Sequence, residues 1–275
     1  MKDLRDMKPE EVGIGSPVRL EFIERDDECD YIQAIMMLET IVKNNRAGRP
    51  STFIVPVGPT GYAKRFARLV NEHGVSLKNV TIINMDEYML TEKELIDPKH
   101  PMSFIRFMND FFYGRIKDEL NVPPENRIFP EPANTGRIWD LINKKDGGVD
   151  ICFGGFGVDG HIAFNEPPLY PMEAGEFAKL PTRVLPIYYT TQVTNSLWNG
   201  ANYRGMPRYC VSIGMREILS SKKCCFFACW GTCATVIRQV LHGPVTSEVP
   251  GSLLQTHPDC TVYTTRAVLN IPLEI

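Results

Sequence analysis

The chain has 275 residues, with 30 Lys+Arg against 33 Asp+Glu for a formal net charge of −3, and 43% of it is hydrophobic. A chain of this length forms one large domain or two small ones, and it buries enough surface to fold without disulfide staples. The near-neutral balance excludes a protein working through a strongly basic nucleic-acid face, and no apolar run approaches the ~18 residues of a membrane span.

Residues 1–10 are charged rather than a basic stub before an apolar stretch, so no signal peptide and a cytoplasmic setting are expected. Residues 1–16 carry no motif and are read as an N-terminal tail, with 17–275 as a single α/β domain. Residues 18–23 read as a strand, after which Asp26 or Asp27 can cap a helix. Tyr31, Ile35, Leu38 and Val42 then recur at helical spacing, and Gly48 and Pro50 close that helix. Residues 52–57 form a short apolar strand, 60–72 a second helix ended by Gly74, and 80–84 another strand. Within 101–120, Phe104, Phe107, Phe111 and Phe112 give a helix an aromatic face suited to core packing. A strand at 149–154 opens into a Gly-rich loop. Further strands fall at 183–188, 209–213, 223–229 and 260–263, with helices near 232–241 and 252–257. Strands separated by helix-length segments imply βαβ crossovers, hence a mostly parallel open sheet with helices on both faces, a Rossmann-like three-layer α/β fold.

The eight cysteines (29, 152, 210, 224, 225, 229, 233 and 260) include no C-x-x-C pair, and several sit in apolar runs. They read as reduced, packed small hydrophobes rather than metal ligands. In open parallel sheets, ligands bind outside the carboxyl ends of the strands. Three segments of unusual chemistry follow predicted strands and so converge there.

The first is Asn84-Met85-Asp86-Glu87-Tyr88. Adjacent carboxylates repel and need partners or solvent, and adjacent side chains diverge, so the two play different parts. The second runs from Gly154 to Pro167, with Gly154, Gly155, Gly157 and Gly160 allowing close backbone approach to a ligand. Asp159 and His161 flank Gly160, and Glu166 follows five residues on. A histidine between two carboxylates is held in one tautomer and can pass protons both ways near neutral pH. The third is the strand-to-helix turn 55–61, with Lys64, Arg65 and Arg68 beyond; free N–H groups and a positive helix end there suit an anion. It lacks the Gly-Lys-Ser/Thr ending of a Walker A loop.

Together these segments resemble the glucosamine-6-phosphate deaminase (isomerase) family, most specifically in the Gly-x-Asp-Gly-His-Ile-Ala-Phe-Asn-Glu-Pro string at 157–167. His100-Pro101 with Ser103, the Thr-x-Val-x-Asn-Ser stretch at 191–196 and residues 252–258 add to the likeness. The related 6-phosphogluconolactonases share the Asp-Gly-His core but lack its continuation. The resemblance implies conversion of an amino-sugar phosphate into a ketose phosphate and ammonia, with no metal or organic cofactor. On it, Asp86 would move a proton from C2 to C1, His161 would open the sugar ring, and Asp159 and Glu166 would orient that histidine. Gly58, Thr60, Glu87, Gly155, Gly157, Ala163, Arg183, Gln192 and Ala234 would contact the substrate.

This chain also departs from the family pattern. The turn usually reading Pro-Thr-Gly-Gly-Thr-Pro is Pro56-Val57-Gly58-Pro59-Thr60-Gly61 here, an arginine is Gln192, and a lysine is replaced near Ala234. Charge-assisted contacts contribute about 1.5–3 kcal/mol each, so phosphate affinity should fall. The expected activity is therefore aldose–ketose isomerisation with deamination of an amino sugar lacking a conventionally bound 6-phosphate. The alternatives are orthodox glucosamine- or galactosamine-6-phosphate deamination with substitute cations, and a non-catalytic sugar sensor. The partner is a small amino sugar or sugar phosphate, with homo-oligomer formation left open.

Overall fold

The computed structural model describes residues 4–58, 61–144 and 147–271. Seven parallel strands form the central sheet, in the order β1 (Arg19–Ile23), β11 (Cys260–Thr265), β10 (Lys223–Phe227), β7 (Ile151–Gly155), β2 (Ser51–Val55), β3 (Val80–Asn84) and β6 (Arg127–Ile128). The helices in chain order are α1 (Glu28–Arg46), α2 (Gly61–His73), α3 (Phe104–Phe111), α4 (Thr135–Lys144), α5 (Ala174–Phe177), α6 (Tyr189–Ser196), α7 (Met215–Leu219), α8 (Ala234–His242) and α9 (Arg266–Leu269). None is long and apolar enough to cross a membrane.

The inner strands read as unbroken apolar runs because both faces are covered. Successive side chains point to opposite faces, so Phe53, Val55, Phe153, Cys225 and Phe227 join one core half with α1 and α2. Ile54, Cys152, Cys224 and Phe226 join the other, against α4 and α8. All eight cysteines are free and buried. Ahead of β1, short 3-10 turns at Leu4–Asp6 and Pro9–Glu11 lead to Val12, which is buried in the second core half.

The predicted strands 183–188 and 209–213 lie outside this sheet. As β8 (Arg183–Pro186) and β9 (Tyr209–Ser212) they form a second, antiparallel sheet with β4 (Asp86–Thr91) and β5 (Glu94–Leu95), in the order β5-β4-β9-β8. Met85 joins the two sheets: its N–H donates to the Val55 carbonyl at 3.0 Å, and its carbonyl accepts from the Ile213 N–H at 2.8 Å. The face expected of α1 is also corrected. Tyr31 and Ile35 are exposed, whereas Gln33, Ala34, Met37, Ile41 and Asn44 are buried. Asn44 can turn inward because its amide donates to Ser51 Oγ at 3.0 Å, and Tyr31 stays outside beneath the Arg65 guanidinium, 4.4 Å from its ring. The stretch 252–257 is part of a 3-10 segment, Pro250–Thr256, rather than an α-helix.

Candidate active site

The strand order β7-β2-β3 places the turn after β2 between the β7 loop, which carries His161, and the β3–β4 corner, which carries Asp86. In the antiparallel sheet Asp86 stands opposite Ser212, and Ser212 opposite Arg183. Directly opposed residues share a face, and with period two Tyr88 and Cys210 join them on it. The loop after β7 lies across this face. The Phe164 N–H donates to Ser212 Oγ at 3.1 Å, Arg183 donates to Asn165 Oδ1 at 2.9 Å, and the Phe164 and Tyr88 rings are 5.7 Å apart. Asn165 closes the turn by donating to the Ile162 and Ile213 carbonyls. Asp86 and the histidine loop are thereby held in one neighbourhood. Burial pushes the Cys210 thiol well up, and the charges of both Asp86 and Glu166 reach it.

Glu87 points the other way. Its carboxylate accepts from Ser103 Oγ and from the backbone N–H groups of Tyr88, Phe104 and Ile105, all between 2.8 and 3.0 Å, and it is fully buried. Both oxygens bond groups at the start of α3, so Glu87, expected as a substrate contact, fills the N-terminus of a helix, where free N–H groups favour an anion. Among the described residues, no comparable donors serve Asp86. Burial, and secondarily the Glu87 charge, lift its carboxyl to about 8, close to the pH where a general base is most effective.

His161 is almost buried, with Nδ1 2.6 Å from Asp159 Oδ1, which also accepts the His161 backbone N–H. Burial opposes ionisation of Asp159, yet the hydrogen bond and charge of His161 hold its carboxyl below the ordinary range. Glu166 accepts the Tyr188 N–H at 2.9 Å, and burial pushes its carboxyl up. The donor atoms of Asp159, His161 and Glu166 all lie within 4.8 Å of one another, the one such trio among the described residues. A divalent cation would need these same atoms, and hydrogen bonds already engage Asp159 Oδ1 and one Glu166 oxygen. As it stands, the trio can fix the imidazole tautomer and leave Nε2 to exchange a proton.

Gly157 lies under the His161 ring, where an added Cβ would collide with the imidazole. Gly155, half-buried at the end of β7, has the Phe227 carbonyl and the Trp230 ring beside it. Ala163 adopts a left-handed φ of 55°, a conformation that costs an L-residue roughly 1–2 kcal/mol. Gly58 is exposed, while Thr60 falls outside the described residues.

The departures from the family pattern can be placed. The Gln192 amide turns back to donate to the Ile187 carbonyl at 2.7 Å. Ala234 is buried in the core, and its carbonyl accepts from Arg238 at 2.8 Å. That arginine also donates to the Met7 and Leu269 carbonyls. Arg68 pairs with Glu72, and Lys64 lies 5.0 Å from the Phe111 ring centre. Ser212 and Asn165 carry the architecture of the site but were not singled out from the sequence. A serine closing the otherwise apolar run Tyr-Cys-Val-Ser was the available signal.

No protein-family model matches the chain. Individual relatives do. Glucosamine-6-phosphate deaminase 2 of Bacillus subtilis is 29% identical over 244 residues, 86% of this chain and 90% of its own length. The glucosamine-6-phosphate deaminase of Bacillus velezensis is 31% identical over 206 residues, 74% of this chain and 80% of its own. Among solved structures, a monomeric glucosamine-6-phosphate deaminase superposes with a TM-score of 0.77 at 25% identity, covering 91% of this chain and 98% of its own. The 6-phosphogluconolactonase of Thermotoga maritima shares the fold, with a TM-score of 0.64 at 12% identity. With 31% identity to a relative covered over 80% of its length, this chain belongs to the glucosamine-6-phosphate deaminase family, enzymes of the amino-sugar isomerase and deaminase kind.

Proposed function

We propose that this enzyme opens the ring of a 2-amino aldose, isomerises it and releases ammonia, and that the far end of its substrate is not held as a phosphate. His161, braced by Asp159 and Glu166, exchanges a proton at the ring oxygen and yields the open-chain aldehyde. The Asp86 carboxylate then takes the proton from C2, which the adjacent carbonyl acidifies. The C2–H electron pair forms the C1–C2 double bond as the carbonyl π pair moves to the C1 oxygen, giving an enolate that takes a proton from water to become the enol. Asp86 returns the proton to C1, leaving a C2 imine, and water adds to that carbon to give the ketone as ammonia departs. Positioned proton transfers of this kind contribute about 10²–10⁴-fold each.

The observation that carries the substrate assignment is that two cationic positions of the family pattern are lost while the cations of α2 and α8 are engaged by protein groups. Gln192 and Ala234 stand where the family pattern has an arginine and a lysine, and Arg68, Lys64 and Arg238 are engaged with protein groups. A second reading, deamination of hexosamine 6-phosphates, is favoured by the similarity to glucosamine-6-phosphate deaminases. Ammonia release from glucosamine, galactosamine and their 6-phosphates separates the two. Turnover of the unphosphorylated sugars is expected, and efficient turnover confined to the phosphorylated pair would replace this reading with the second.

A further inference from the structure

The start of α2 already holds an anion, and it belongs to the chain itself. Asp30, in the first turn of α1, reaches across to the start of α2. Its carboxylate lies so close to Gly61 that a Cβ there would overlap Oδ2 and Cγ. Burial raises its carboxyl, opposed by the Arg65 charge and by hydrogen bonds from the Tyr62 backbone N–H and from Arg65 at 2.9 Å. Its side chain is only 13% exposed. Arg65 is fixed in turn: it donates to the Gly61 carbonyl at 3.2 Å, and its guanidinium rests on the Tyr31 ring.

These contacts use the features that make a helix start attractive to an anionic ligand. The first N–H groups of a helix and its positive end stabilise one negative charge well, and a second anion in the same place meets repulsion instead. The nearest arginine is already neutralised. The position matters because the strand order puts the end of β2, and α2 beyond it, between the strand ends that lead to the histidine loop and to Asp86. An uncharged hydroxyl can share such a site, since it donates to a carboxylate and accepts from an N–H.

We infer that Asp30 is a specificity-determining residue, an internal anion seated at the start of α2 that excludes a phosphorylated end and selects amino sugars ending in a free hydroxyl. This rests on the substrate reading above but concerns a residue outside the proton-transfer set. The test compares wild type with Asp30→Asn, which keeps the shape and removes the charge, and with Asp30→Ala, which removes both. Thermal melts confirm folding, with Asp30→Asn serving if Asp30→Ala is unstable. Inorganic phosphate binding by titration calorimetry is the primary readout, and the KM for glucosamine and for glucosamine 6-phosphate is the second.

Wild type is expected to bind phosphate only in the range of tens of millimolar, and either variant at least tenfold more tightly, with the ratio of the two KM values shifting at least tenfold toward the phosphorylated sugar. Phosphate affinity equal in folded wild type and variants would overturn the inference even if unphosphorylated amino sugars are turned over. Tighter phosphate binding by the variants would support the assignment of Asp30 even if wild type released ammonia from none of the four sugars, an outcome that would overturn the substrate reading alone.

Discussion

Asp86→Asn separates what the folded state tolerates from what the reaction requires. Burial lifts the wild-type carboxyl from the ordinary 3.8 to about 8, so between those values the folded protein keeps a proton that the unfolded chain releases. Stability therefore falls as pH rises through that window and levels off on either side of it. At about 1.4 kcal/mol per pH unit the whole window amounts to on the order of 5 kcal/mol. The asparagine variant has no such dependence. It should match wild type within about 1 kcal/mol near pH 4 and exceed it by several kcal/mol near pH 8.5, while catalysing no isomerisation at either pH. Urea unfolding at a series of pH values gives the stability difference directly. In wild type, kcat/KM should also rise with pH toward a limb near 8 as the base ionises. Parallel stability curves for the two proteins, or a variant that still turns over, would refute both the burial argument and the role of Asp86.

Three further outcomes test individual placements. Glu87→Ala leaves the Ser103 hydroxyl and two backbone N–H groups at the start of α3, and the Tyr88 N–H in β4, without their acceptor, so it should cost about 3 kcal/mol or more in unfolding experiments; a stable variant with only a raised KM would favour Glu87 as a substrate contact. Gly157→Ala pushes a methyl into the His161 ring and should lower kcat about 10²-fold or more, measured by ammonia release, with circular dichroism unchanged. Ala163→Gly relieves the left-handed φ of 55° and should raise stability by about 1 kcal/mol in thermal unfolding.

The parallel sheet was legible because its inner strands, such as 52–55 and 223–227, are continuous apolar runs between helix-length segments. The divergence of Asp86 and Glu87 was legible as well, from adjacency alone. The antiparallel sheet was not. β4 starts one residue after β3 ends, so Val-Thr-Ile-Ile-Asn and Asp-Glu-Tyr-Met read as one strand with a loop, and only the pairing with β9 distinguishes them. The face of α1 was misread because Gln33 and Asn44 are polar yet buried, while Tyr31 is aromatic yet exposed. Asp30 escaped notice for a related reason: an acidic residue in the first turn of a helix is ordinary for that helix, and nothing local shows that it serves the start of another.

The placement of Asp86 and Glu87 on successive positions of one strand has a mechanical consequence. Glu87 ties β4 to the leading turn of α3, and Asp86 projects from the opposite side of the same pleat, so the strand works like a short rocker between them. Glu87 and Asp86 share one stretch of backbone, which links the seating of α3 to the orientation of the Asp86 carboxylate. Substitutions along α3 that disturb the Glu87 contacts are therefore expected to reach Asp86 through the strand.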